Sequence, residues 1–216
     1  MSPARYADET IAFVPRAELE ALSALEHGFR PDAQARHYAE LAGRLQWALR
    51  APLEDDPSRK QLIPYVVVHN DTELFRLRRL PTQGEARLHD KLSLGVGGHI
   101  ARDKTSDAPA ELHRPDDALW TGMLVELYEE LYIDQPLTLT YRGLINDDTN
   151  EVGKVHLGVV FSAYHVGSPD QIRVRETDKM VGEWVGPDEL QAKMAGLESW
   201  SQLIAPEALT WLNPAP

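Results

Sequence analysis

Before residue 60 the apolar positions follow a helical rhythm. Residues 16–25 are rich in Ala, Leu and Glu, and Gly28 stands where such a helix would end. Asp32 can cap a second helix through Leu49, in which Tyr38, Leu41, Leu45 and Leu49 recur three to four apart. Pro52 and the run Glu54-Asp55-Asp56-Pro57 break that rhythm. The pattern predicts an N-terminal helical extension over 1–59, packed on the main domain, with a dimerisation arm as the alternative use of the same segment.

From Lys60 to residue 216 the pattern predicts one domain, and it begins with strands. Residues 62–68 are a β-rich run closed by the turn Asn70-Asp71. Leu74-Phe75-Arg76-Leu77-Arg78-Arg79-Leu80 alternates apolar and basic, as a half-buried strand does. Residues 83–90 read as a polar loop, and 92–96 as a short strand running into Gly97-Gly98. A polar stretch follows to Asp117, then one strong helix over 117–133. Strands are expected at 137–144 and 155–164 with a turn between, and short ones at 172–174 and 183–185. Pro187 opens a helix, and 206–212 reads as a last short one. Strands and helices without regular βαβ alternation predict an α/β chain of the α+β type, with helices packed around a mixed sheet.

The strong helix carries the first hint of chemistry. At about 100° per residue, Glu126, Glu129 and Glu130 share an arc of roughly 100°, while Trp120, Met123, Leu124, Leu127 and Leu131 share another that would face the core. Gly122 lies on the acidic side, leaving room for a ligand or a loop. Like charges three and four apart repel, and no Lys or Arg of the helix offsets them. A divalent cation would reverse that cost, and three carboxylates suit Mg²⁺ or Mn²⁺. A solvated acidic face explains the same pattern without a metal.

Composition narrows the choice. The 216 residues hold 34 acidic against 22 basic residues, a net charge of -12, which weighs against a basic surface for nucleic acid or a polybasic membrane anchor. There is no Cys, so any metal must be held by oxygen or His. The N-terminus lacks the apolar core of a signal peptide, and no apolar run approaches the ~20 residues of a membrane span. A soluble, cytoplasmic protein is expected.

The spacing around the acidic helix resembles the Nudix hydrolase signature, G-x5-E-x7-R-E-U-x-E-E-x-G-U with U aliphatic. Gly98 matches the opening glycine, and Glu126, Leu127, Glu129, Glu130 and Ile133 match the later half in register. Trp184-Val185 followed by Glu189-Leu190 resembles a stretch common near the end of Nudix domains, and the likeness covers roughly residues 60–195. Leu62-Ile63-Pro64-Tyr65, Gly95-Val96-Gly97-Gly98-His99-Ile100 and Asn150-Glu151-Val152-Gly153 are similar to a bacterial Nudix subgroup labelled as predicted phosphoesterases. The chain departs from the signature in four ways. The gap after Gly98 is thirteen residues too long, so 101–114 looks like an insertion. Asp117 replaces the first Glu, Val125 the Arg and Tyr132 the late Gly.

The resemblance implies an α/β/α sandwich and hydrolysis of a P–O–P bond in a small diphosphate-containing substrate by water attack on phosphorus. Glu126, Glu129 and Glu130 would hold Mg²⁺ (or Mn²⁺) with the carbonyl of Gly97. One of them, or Glu176 from a later loop, would take the water's proton. Arg76 and Arg78 could hold phosphate, although alternating Arg on a strand also suits a solvent face. His99 and His156 could reach the site or simply pack. Specificity would sit in the insertion and the N-terminal segment, and family analogy suggests a homodimer. A non-catalytic Nudix-fold module for a nucleotide or a protein is the competing expectation, favoured by Val125 and Tyr132. An isopentenyl-diphosphate isomerase, which shares the fold, is excluded by its need for a Cys.

Overall fold

The computed structural model describes residues 8–80, 91–175, 177–178 and 180–213. In chain order they form β1 (Thr10–Pro15), α1 (Arg16–Ala21), β2 (Gly28–Pro31), α2 (Arg36–Arg44), β3 (Gln46–Leu49), α3 (Arg50–Leu53), β4 (Arg59–His69) and β5 (Leu74–Arg79). There follow β6 (Leu92–Ser93), β7 (Gly95–Val96), α4 (Ala118–Glu130), β8 (Leu131–Ile133), β9 (Thr138–Asn146), α5 (Glu151–Val155) and β10 (His156–Tyr164). The last elements are β11 (Ile172–Val174), β12 (Met180–Val185), α6 (Pro187–Ala192) and α7 (Ser199–Leu209). The loop expected over 83–90 lies outside the described residues, as does Glu176.

The main sheet runs β12-β5-β4-β10-β9-β2, with β1, β3, β6 and β7 joined to it, while β8 and β11 form a separate pair. β10 lies parallel to β4, setting Leu157 beside Leu62 and Phe161 beside Val66, and β9 lies antiparallel to β10. β4 and β10 read as near-continuous apolar runs because helices cover both faces of the sheet. Alternation divides β4 between two cores. Leu62, Val66 and Val68 pack with Leu124 and Leu127 of α4. Tyr65 and Val67 pack with Ile204 and Ala208 of α7. The result is a mixed sheet between two helical layers, as expected.

The first sixty residues differ from the expected helical extension. α1 and α2 are helices, but α2 stops at Arg44, and three strands join the sheet. β1 pairs with β4 through Phe13 and Gln61, and β2 pairs with β9. Ile11, Ala12, Phe13 and Val14 are all buried, so β1 shows no alternation, and its four-residue apolar run is short enough to pass for part of a neighbouring helix. Asp32 does cap: its carboxylate accepts from the backbone N–H groups of Arg36 and His37. At the other end, α7 starts at Ser199 rather than Pro206. The Glu198 carboxylate accepts from Trp200 N and Ser201 N, and Pro206 sits inside the helix, giving up one backbone hydrogen bond.

No helix among the described residues is long and apolar enough to cross a membrane.

Candidate functional site

α4 is fixed at both ends. Asp117 is its N-cap: the carboxylate accepts from Trp120 N at 3.0 Å and from the Tyr38 hydroxyl at 2.7 Å. The signature's first acidic position therefore serves α4 and α2 rather than joining the other carboxylates. At the far end, Arg175 N donates to the Glu130 carbonyl at 2.8 Å, which brings the loop after β11 against the last turn.

The helix is buried around nearly its whole circumference, not only on its apolar arc. Val125, in place of the signature Arg, is buried, and so is Glu126 at 7% exposure; Glu129 is exposed and Glu130 half-buried. The segment from Gly98 to Lys104, which leads into the insertion, lies against the acidic side. Ile100 packs against Gly122, where any Cβ would collide with its side chain, so the missing side chain makes room for a loop. Gly98 is close-packed too, because a Cβ there would collide with the end of the Glu126 side chain, whose burial limits where it can move. Gly98→Ala should cost about 1–3 kcal/mol by this overpacking. A urea midpoint equal to the parent's would show that Glu126 moves aside freely.

A cation offsets the acidic stripe, contrary to the expectation from the helix alone. Lys104, from the insertion, donates to Glu129 Oε2 at 2.8 Å and stands 3.7 Å from Glu126 Oε1. Burial pushes Glu126 up to about 7; Lys104 pulls it down, and the charges of Glu129 and Glu9 add to the rise. Burial lowers Lys104, but its hydrogen bond to Glu129 and the nearby carboxylates outweigh that and raise it above the ordinary lysine value.

Beside the stripe lies a cleft of about 240 Å³, lined among others by Trp47, His99, Arg102, Lys104, Thr121 and Val125. The Arg102 guanidinium stands 5.9 Å from the centre of the Trp47 ring. His99 and His156 are paired, Nε2 to Nε2, at 3.1 Å. His156 Nδ1 lies 2.7 Å from the Val152 carbonyl, which can only accept, so Nδ1 carries the His156 proton and His99 Nε2–H is the donor to His156. Burial holds both rings below the ordinary histidine value, consistent with this neutral pair.

The two Arg expected to hold phosphate stand elsewhere. Arg76 is fully buried on the sheet face opposite α4, where it donates to Glu183 at 2.6 Å and to Glu189 at 2.8 Å. Arg78, two residues on, shares that face and is exposed. The cations at the cleft are Arg102 and Lys104. Their position inside the insertion was the one available signal, since nothing in local spacing ties them to a helix some twenty residues later.

No family model matches the chain. Protein YmaB of Bacillus subtilis (strain 168) is 36% identical over 204 residues, which cover 91% of this chain and 96% of that protein. The crystal structure of Tm1382, described as a candidate Nudix hydrolase, matches 94% of this chain and all of that one with a TM-score of 0.76 and 26% identity. The chain belongs to the Nudix superfamily. A bifunctional NMN adenylyltransferase/ADP-ribose pyrophosphatase from Francisella tularensis, solved with AMP and a manganese ion, shares the fold over 70% of this chain and 42% of that one, with a TM-score of 0.50 and 13% identity.

A Nudix chain raises the question of a divalent cation. Among the described residues no three His, Asp or Glu side chains stand together as a ready ligand cluster. The donors nonetheless fit such an ion. They are all oxygen, Glu126 is seated against a glycine that leaves room for it, and a cation, the Lys104 ammonium, already stands at Glu126 and Glu129.

Proposed function

We propose that this Nudix chain is a metal-dependent hydrolase of a nucleoside-diphosphate-type substrate, splitting a P–O–P bond by water attack on phosphorus. The observation that carries this reading is the buried Glu126 beside Glu129, set against Gly98, with both carboxylates engaged by Lys104, one of two cations that line the neighbouring cleft. Glu126, Glu129, Glu130 and the Gly97 carbonyl would hold Mg²⁺ or Mn²⁺. When bound, the ion neutralises phosphate charge and acidifies a water. The chain's own groups position the rest. Arg102 offers a guanidinium to a phosphate, and Trp47 beside it an aromatic face. One of the three carboxylates, or Glu176, accepts the water's proton.

The test is a turnover screen with Mg²⁺ and Mn²⁺ over nucleoside triphosphates, ADP-ribose, dinucleoside polyphosphates, nucleotide sugars, NADH and CoA. Release of a nucleoside monophosphate or phosphate that stops in EDTA is expected, and equal release in EDTA would overturn the reading. A second reading, a nucleotide-binding module without turnover, is favoured by Val125 at the signature Arg position and by the use of Asp117 as a cap. Calorimetric binding of a nucleotide with no turnover for any metal between pH 7 and 9 would select it.

A further inference from the structure

We propose that Lys104 is a built-in counter-cation that a divalent metal must displace, so that the insertion sets how tightly the site takes its metal. This inference rests on the metal site of the preceding section. The Lys104 ammonium is placed where an ion binding Glu126 and Glu129 would need its oxygens, 2.8 Å from one carboxylate and 3.7 Å from the other. Mg²⁺ binds carboxylate oxygen at about 2.0–2.1 Å, so it cannot share Glu129 Oε2 with an ammonium in this position without bringing the two cations within a few ångströms. One of them must leave.

The lysine can do so. Its side chain is 39% exposed, its stem is flexible and it already lines the cleft, so the ammonium has water and open space beside it. Glu126, at 7% exposure, has no such freedom and stays behind. Glu129 turns its Oε2 to Lys104, and Lys104 supplies the positive charge that a row of acids at three-residue spacing needs.

The experiment is a Mn²⁺ titration by electron paramagnetic resonance on the full chain, comparing the parent with Lys104→Met, Lys104→Arg and Glu129→Gln. Lys104→Met should bind Mn²⁺ about tenfold more tightly than the parent, since it no longer opposes the ion. Lys104→Arg, which keeps the charge, should stay near the parent, and Glu129→Gln should bind more weakly. Melting without metal is the folding control: the pair with Glu129 is exposed and contributes little, but Glu126 is buried, so Lys104→Met should melt somewhat below the parent, and binding is compared at a temperature where every variant is folded. Affinity in Lys104→Met equal to or weaker than the parent's, with Glu129→Gln still impaired, would overturn the counter-cation role and leave the metal site standing. No Mn²⁺ binding by the parent or by Lys104→Met would overturn both.

Discussion

Lys60→Met should destabilise the protein by about 3–5 kcal/mol, the range for removing one partner from a buried charged network. Lys60 is fully buried at the start of β4. Its ammonium donates to Asn146 Oδ1 at 2.7 Å, Asp148 Oδ1 at 2.5 Å, the Gly153 carbonyl at 2.6 Å and the His156 carbonyl at 3.1 Å. Asp148 also takes the Arg16 guanidinium at 2.6 Å, so the hub ties β4 and α1 to the turn between β9 and β10. Burial depresses the lysine's pKa, and Asp148 only partly restores it. Methionine fills a similar volume but leaves four acceptors without their donor. For a chain of this size the loss corresponds to a drop in Tm of about 10 °C. Hydrogen exchange should quicken first in 146–156, where the lysine holds the Asn146 and Asp148 side chains and the Gly153 and His156 carbonyls. His156 follows that segment and supports His99 at the cleft wall, so turnover should fall at temperatures where the variant is still folded. A loss below about 1 kcal/mol in urea would mean that water replaces the ammonium and that the hub is dispensable.

Lys60 also shows where the sequence stops being legible. A lysine opening an apolar strand reads as a boundary residue, because its four acceptors lie more than eighty residues away and no periodicity connects them. Local pattern found the elements that are long or strongly periodic. The 62–68 run became β4, the 155–164 run β10, and the helix expected over 117–133 became α4, which stops at Glu130 because Leu131–Ile133 pair with β11 as a strand. It failed where tertiary pairing overrides composition. Ile11–Val14 is a strand because β4 and β3 lie on either side of it, not because of its own four residues. The same distinction runs through the site. The carboxylates were legible because three positions on one helix fix their mutual geometry. The lysine that faces Glu126 was not, because it comes from an insertion whose path over the helix has no signature. Arg76 is the converse: strand alternation gave it a face, but only the sheet order shows that this face looks away from α4, toward Glu183 and Glu189.

Glu126→Gln should make the protein more stable at alkaline pH while removing the metal-dependent activity proposed for it. The carboxyl's ordinary value of 4.5 is pushed up to about 7 in the folded chain, chiefly by burial. The native state therefore holds this proton more tightly than the unfolded state does. The associated stability is fully present below about pH 4.5, is lost progressively as pH rises towards 7, and stays lost above it. The span corresponds to a cost on the order of 3 kcal/mol for carrying the buried charge at pH 8. Glutamine has nearly the same shape and no charge, so the variant's advantage in urea should be small at pH 4.5, grow through pH 6 and level off above pH 7. Glu129→Gln is the control: Glu129 is half exposed at its side chain, so its replacement should bring no comparable gain. Both variants should lose metal-dependent turnover by about 100-fold or more, roughly 3 kcal/mol of transition-state stabilisation. Added Mg²⁺ should then reverse the order of stability. It stabilises only a chain that binds it, by RT ln(1 + [Mg²⁺]/Kd), so the parent should gain on Glu126→Gln as the ion is raised. If the alkaline advantage of Glu126→Gln is absent, the carboxylate is already solvated or paired well enough to carry its charge. If the advantage is present but Mg²⁺ fails to narrow it, the buried acid is a cost that no metal recovers, and the nucleotide-binding reading gains.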